Sequence, residues 1–232
     1  MSRIARLVVP GLPHHVTQRG NGRGKIFFTD ADYQLYKDLL IEHCAAAKVE
    51  CWAFCLMPNH IHAILVPSDE DGLRATLSAT HRRYAGLINA RRKKTGHFWQ
   101  GRYGAAVMDE DHLALAFRYM LRNPVAAKLV DAAERWAWSS ARAYLKGGED
   151  GLTTKGPILR RFPAVKSLLR DEGEMDEIVV RDDETIGRPL GSAAFIATLE
   201  RKTGRKLMPE KRGPKPAKTK AKRGRKKPKP RA

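Results

Sequence analysis

Three cysteines in 232 residues, Cys44, Cys51 and Cys55, are too few, and odd in number, for a disulfide-stapled secreted fold. A chain of this length buries an adequate core without cross-links, so the expected compartment is reducing. No apolar stretch approaches the roughly 18 residues that a membrane-spanning helix needs. The start of the chain offers only Leu7-Val8-Val9 before a proline, where a secretory signal would carry a longer apolar run. The expectation is a soluble, untargeted protein. Acidic residues are also scarce: 25 against 44 Lys and Arg, a formal charge of +19. That shortage is local. Residues 201–232 hold 16 basic residues and one acid, Glu210, for +15, whereas residues 1–200 hold 28 basic and 24 acidic residues, for +4. This basic tail has no aromatic or amphipathic stripe to insert into a bilayer, so nucleic acid ranks ahead of a membrane surface as its partner. Solubilising charge is the plainer alternative. With 42% apolar residues, a collagen-like or wholly disordered chain is excluded.

The pattern along the chain predicts a strand over His14–Arg19, followed by the turn Gly20-Asn21-Gly22-Arg23-Gly24. Thr29 and Asp32 have capping-box spacing, and Tyr33, Tyr36, Leu39, Leu40, His43 and Ala47 recur with helical period, which predicts a helix over 31–47. Two apolar runs, Val49–Leu56 and Ile61–Val66, flank Met57-Pro58-Asn59 and read as paired strands. A second helix over 72–95 carries Leu73, Leu77, Tyr84 and Ile88 on one stripe, with most of its arginines off it and Gly96 as its stop. One strand or a pair is expected within Phe98–Met108, then a helix capped by Asp109 and running to Arg122, where Asn123-Pro124 restarts the chain. This order gives an α+β fold with a mostly antiparallel sheet. Residues 146–210 read as a linker and partly helical extension, with Ser192 capping a helix through Arg201, and the Lys/Arg/Pro-rich residues 211–232 as a disordered tail.

His60 and His62 share one face of a strand, and two imidazoles one strand repeat apart can bind a divalent ion while leaving positions open. Ordinary surface histidines fit the same pattern. Cys51 and Cys55 invite a zinc reading, but Cys-x3-Cys-x4-His-x-His matches no zinc spacing, and strand alternation makes Cys51, Ala53 and Cys55 equally good buried hydrophobes on one face. Among the tyrosines, Tyr33, Tyr36 and Tyr84 fall on core stripes. Tyr119 lies roughly 140° from the centre of the apolar face defined by Leu113, Phe117, Met120 and Leu121. Asn123 follows one turn later on the same side, able to meet the same ligand or to cap the helix that Pro124 begins.

Four blocks carry a resemblance: Cys55-Leu56-Met57-Pro58-Asn59-His60-Ile61-His62, Phe98-Trp99-Gln100-Gly101-Arg102-Tyr103, Arg118 through Ala127, and Trp138-Ser139-Ser140. In this order they resemble the single-tyrosine HUH transposases, IS200-like, and more narrowly the REP-associated tyrosine transposase branch. The resemblance covers about residues 5–145, taken as one transposase domain over 1–145, and Gly187–Ser192 is similar to the C-terminal extension of some branch members. It implies a ferredoxin-like sheet with helices packed on it. It also implies cleavage and joining of single-stranded DNA near hairpins with Mg²⁺ or Mn²⁺. His60 and His62 would be metal ligands, Tyr119 the nucleophile that forms a 5′-phosphotyrosine, and Asn123 would stand where relatives place a third polar ligand. Arg19, Arg23, Arg82, Arg83 and Arg102 would engage phosphates, and Trp99 and Tyr103 would stack on unpaired bases, with core packing as the alternative for Trp99. The implied location is cytoplasmic, at the nucleoid, and a homodimer is one of the assemblies found among relatives. Two other classes stay open: a domesticated, inactive DNA-binding relative, and a zinc enzyme using the cysteines.

Overall fold

The computed structural model describes residues 6–170 and 187–208. Its elements follow the order β1 (His14–Arg19), α1 (Asp30–Ala46), β2 (Val49–Met57), β3 (His60–Pro67), α2 (Gly72–Arg91), β4 (Gly104–Val107) and α3 (Glu110–Ala126). Short helices α4 (Ala141–Leu145), α5 (Gly156–Arg161) and α6 (Val165–Arg170) come next, and α7 (Ala193–Thr203) closes the described chain. The four strands form one antiparallel sheet in the order β2-β3-β1-β4. With α1 and α2 between the strand pairs, this is the ferredoxin-like arrangement expected from the sequence.

Strand alternation divides the core in two. Val16, Phe54, Leu56, Ile61, Ala63 and Leu65 face α1 and α2, while Ala53, Cys55, Met57 and Ile64 face α3. A bulge in β2 changes the parity. Cys51 pairs with Leu65 but Ala53 pairs with the next residue, Ile64, so Trp52 is the extra residue. Cys51 therefore lies in the α1–α2 core and Cys55 in the α3 core, on opposite faces of the sheet rather than on one. Both are buried and free, and burial pushes their thiols up, Cys55's beyond the range in which a thiolate forms at neutral pH. The shared zinc site loses its geometry.

Other boundaries shift for local reasons. Helix α2 stops at Arg91, one turn before Gly96, because Lys93 adopts φ 50° and the N–H groups of Lys93 and Lys94 return to the carbonyls of Ala90 and Asn89 at 3.1 and 2.9 Å. That is a Schellman stop built on lysine instead of glycine. Helix α3 does not end at Arg122. It runs through Pro124 to Ala126, because a proline in the last turn forfeits one hydrogen bond while its buried ring still packs. Residues 146–170 are not a free linker: Ile158, Val165 and Leu169 are buried in the α3 core. Leu190 bridges to the edge of β4, its N–H reaching the Val107 carbonyl at 2.8 Å, and α7 buries Leu199 beside Leu7, Val9 and Val107. The tail, residues 211–232, lies outside the described residues.

Candidate active site

Cross-strand pairing brings the site together. Arg19 on β1 sits opposite His60 on β3, and Thr17 opposite His62, so these side chains share the sheet face covered by α3. The loop before β3 is pinned from both sides. The carbonyl of Pro58 accepts from the N–H groups of Ile26 and Phe27 at 2.8 and 3.2 Å, and that of Asn59 accepts from Gly20 at 3.0 Å. Gly20 permits this approach: a Cβ there would fall 2.3 Å from the Gly24 carbonyl oxygen.

On the facing helix, Leu113, Phe117, Met120 and Leu121 are fully buried, which turns Tyr119 and Asn123, one turn apart, toward the strand residues. Tyr119 is half-buried, with its ring edge-on to His62 at a centroid distance of 5.8 Å. The Asn123 amide lies 3.3 Å from His62 Nε2. Because α3 is continuous, Asn123 is no N-cap, and its amide is turned to the histidines.

Each histidine has one ring nitrogen spoken for. His60 Nδ1 donates to Asn59 Oδ1 at 2.6 Å, leaving Nε2 with its lone pair. His62 is only 1% exposed, and its Nδ1 lies 3.1 Å from Nε2 of His15, a buried β1 histidine stacked on it at 5.3 Å and 13°. Burial, reinforced by the Arg19 cation, lowers the His60 pKa to about 4. Burial, together with His60, His15 and Arg19, holds His62 well below its ordinary value. Both imidazoles are therefore neutral at pH 7, the form that ligates metal.

Among the described residues, no three His, Cys, Asp or Glu side chains converge on one point, so a metal here would rely on two imidazoles and an amide. That donor set fits a divalent ion that keeps water in its shell. Adjacent ligands about 2.1 Å from an octahedral ion lie about 3.0 Å apart. The 3.3 Å between His62 Nε2 and the Asn123 amide is of that size, and exchanging the amide's nitrogen and oxygen positions presents an acceptor.

The remaining candidates divide. Arg19 belongs to the cluster, and Arg23, in the Asn21–Arg23 turn, accepts from Asn59 Nδ2 through its carbonyl at 3.2 Å. Arg102 is exposed beside β4. Arg82 and Arg83 are exposed on α2, across the sheet from the histidines, and Arg83 pairs with Glu42 at 2.9 Å. Tyr103 is 7% exposed, with the Arg6 guanidinium 3.7 Å over its ring. Trp99 packs against the α1–α2 core and donates to the His81 carbonyl at 3.0 Å. In this structure Tyr103 packs under Arg6 and Trp99 against the core, which is the alternative the sequence offered for Trp99. Conversely, His15 was missed. Its parity with Thr17 and Arg19 is visible in the sequence, but its neighbour is fixed only by the pairing of β1 with β3.

Comparison with known proteins adds three findings. The family model described as Transposase IS200 like matches residues 8–123. A Haemophilus influenzae chain assigned by name to the REP-associated tyrosine transposases is 23% identical over 155 residues, covering 59% of this chain and 88% of its own. A solved structure of a REP-associated tyrosine transposase bound to a REP hairpin superposes with a TM-score of 0.51 at 21% identity, over 66% of this chain and 90% of that one.

Proposed function

This chain belongs to the IS200-like transposases, and from that premise we propose that it cleaves and rejoins single-stranded DNA at hairpin-associated sites through a 5′-phosphotyrosine on Tyr119. The observation that carries the proposal is the convergence on His62 of the Asn123 amide at 3.3 Å and the Tyr119 ring at 5.8 Å, from a helix and a strand far apart in sequence. The relative solved bound to a REP hairpin supports hairpin DNA as the partner in this reading.

His60, His62 and Asn123 would hold the Mg²⁺ or Mn²⁺, which supplies Lewis-acid polarisation of the scissile phosphate. The chain's own residues do the rest. Tyr119 is carried on helix α3, whose apolar face is buried against the sheet, so its phenol oxygen is held where a phosphate drawn to the histidine side can be attacked. In that attack the phenol oxygen bonds to phosphorus and loses its proton to solvent. The bond from phosphorus to the 3′ oxygen breaks, and that oxygen takes up a proton as a free 3′-hydroxyl. One phosphodiester bond is exchanged for another, so attack by a 3′-hydroxyl reverses the step and joins strands. Arg19, on the same face as His60, offers a cation to a neighbouring phosphate.

The test is incubation of the full chain with labelled single-stranded hairpins taken from DNA beside its own gene, with and without Mn²⁺. A metal-dependent cleavage product with a protein-linked 5′ end is expected. Hairpin binding without cleavage would instead make the protein a DNA-binding relative.

A further inference from the structure

The geometry points to His15 as a positioning residue that fixes which ring nitrogen of His62 faces the metal side, an inference that rests on the proposed ligand role of His62. His15 and His62 lie on adjacent strands, diagonal to each other on one face of the sheet, and their rings are nearly parallel. Nε2 of His15 and Nδ1 of His62 stand 3.1 Å apart, within hydrogen-bond distance, and both rings are buried. Two neutral imidazoles in such contact share one proton, so one nitrogen donates and the other accepts.

The proposed ligand role sets the direction. If the proton sat on His62 Nε2, that nitrogen would point an N–H at the Asn123 amide and have no lone pair for an ion. With the proton on His62 Nδ1, His15 Nε2 accepts it and His62 Nε2 is left as the ligating atom. His60 reaches the same state by another route, because its Nδ1–H is held by the Asn59 side chain at 2.6 Å. The two candidate ligands are thus each oriented from behind, one by an amide and one by a histidine from the neighbouring strand. Partners of this kind typically change metal affinity by about 10- to 100-fold.

The same contact explains the placement of a polar residue where an apolar one would otherwise suit. His15 is 3% exposed, on the strand position paired with Ile64 of the α3 core. A histidine at such a position costs desolvation that a leucine would not, unless its ring nitrogen has a use.

The experiment compares the full chain with His15→Phe and His15→Gln. Mn²⁺ affinity is measured by titration calorimetry without DNA, the ring-nitrogen protonation of His62 by nitrogen-15 NMR of the metal-free protein, and the fold by thermal melting. Expected are an Nδ1–H tautomer of His62 in the parent, Mn²⁺ affinity weakened about 10- to 100-fold in His15→Phe, and substantial recovery in His15→Gln, whose side-chain oxygen can accept the same proton. A parent in which His62 carries its proton on Nε2, or His15→Phe protein that melts cooperatively and binds Mn²⁺ as tightly as the parent, overturns the role of His15 alone. A parent that binds no Mn²⁺ overturns the ligand assignment, and this inference with it. Should His15→Phe fail to melt cooperatively, His15→Gln and the tautomer of the parent decide the matter.

Discussion

His60 and His62 face the same proposed ion from different depths, and that difference predicts different consequences for the two substitutions. His60 begins β3 and is half-buried, whereas His62 is enclosed by His15, Asn123 and Tyr119. His60→Ala should remove cleavage and leave the melting temperature nearly unchanged. His62→Ala should remove cleavage and also destabilise the fold by about 1–3 kcal/mol, since it leaves buried His15 without its partner. Asn123→Ala should weaken cleavage by a smaller factor than either, because water can replace an amide ligand. Melting curves and cleavage rates on the three proteins check this ordering. Equal loss of stability in His60→Ala and His62→Ala would contradict the burial argument.

Helix α3 shows how element ends decide what a sequence can reveal. Its start was legible: Asp109 Oδ1 accepts from the His112 N–H at 3.0 Å, as the N-cap spacing predicts. What could not be read is that Asp109 Oδ2 also accepts from Ser192 N at 2.8 Å, tying the helix that bears Tyr119 to the segment leading into α7. Burial works to raise the Asp109 pKa, but the N–H groups of His112 and Ser192 and the His112 ring outweigh it and hold the carboxyl below the usual range. Asp109→Ala should therefore cost about 1–2 kcal/mol through the lost cap. It should also raise hydrogen exchange in α7 more than in α1. Exchange confined to the first turn of α3 would show that the tie to Ser192 carries no weight. The same division holds elsewhere. The strands and helices through α3 follow from apolar period, and the His60–His62 and Tyr119–Asn123 pairs from strand and helix spacing. The bulge at Trp52, the lysine stop of α2 and the passage of α3 through Pro124 are tertiary outcomes with no local mark. The burial of Tyr103 is equally invisible, since an aromatic beside arginines reads the same whether it meets a base or a core, and for the partly buried Trp99 the sequence left both readings open.

The molecule as a whole combines a body, residues 1–200 with a net charge of +4, and a basic tail, and each part makes its own prediction. Within the body, burial lowers the pKa of His14 to about 4 and that of His81 to about 3. Their folded values lie below the unfolded value near 6.5, so the unfolded chain binds more protons over that window. Stability should be fully present above pH 6.5 and fall, by about 1.4 kcal/mol per pH unit for each histidine, as pH is lowered toward 4. Denaturant midpoints across pH 4–8 measure this, and a flat profile would mean that these histidines bind protons in the fold as readily as in the unfolded chain. For the tail, the +15 carried by residues 201–232 suits sequence-independent phosphate contacts. Removing residues 211–232 should weaken binding to every DNA tested and reduce the slope of log affinity against log salt, with the cleavage position unchanged. A truncated protein that loses target preference at constant slope would make the tail a reader of sequence. No helix among the described residues is long and apolar enough to cross a membrane. The chemistry itself is tested most directly by trapping the covalent adduct between the full chain and a labelled hairpin strand in Mn²⁺, and mapping the modified residue by mass spectrometry. The adduct is expected on Tyr119 and should be absent from Tyr119→Phe protein that still folds and binds the hairpin. An adduct on Tyr103, or one formed at the parental rate by Tyr119→Phe, would contradict the assignment of Tyr119 as the nucleophile.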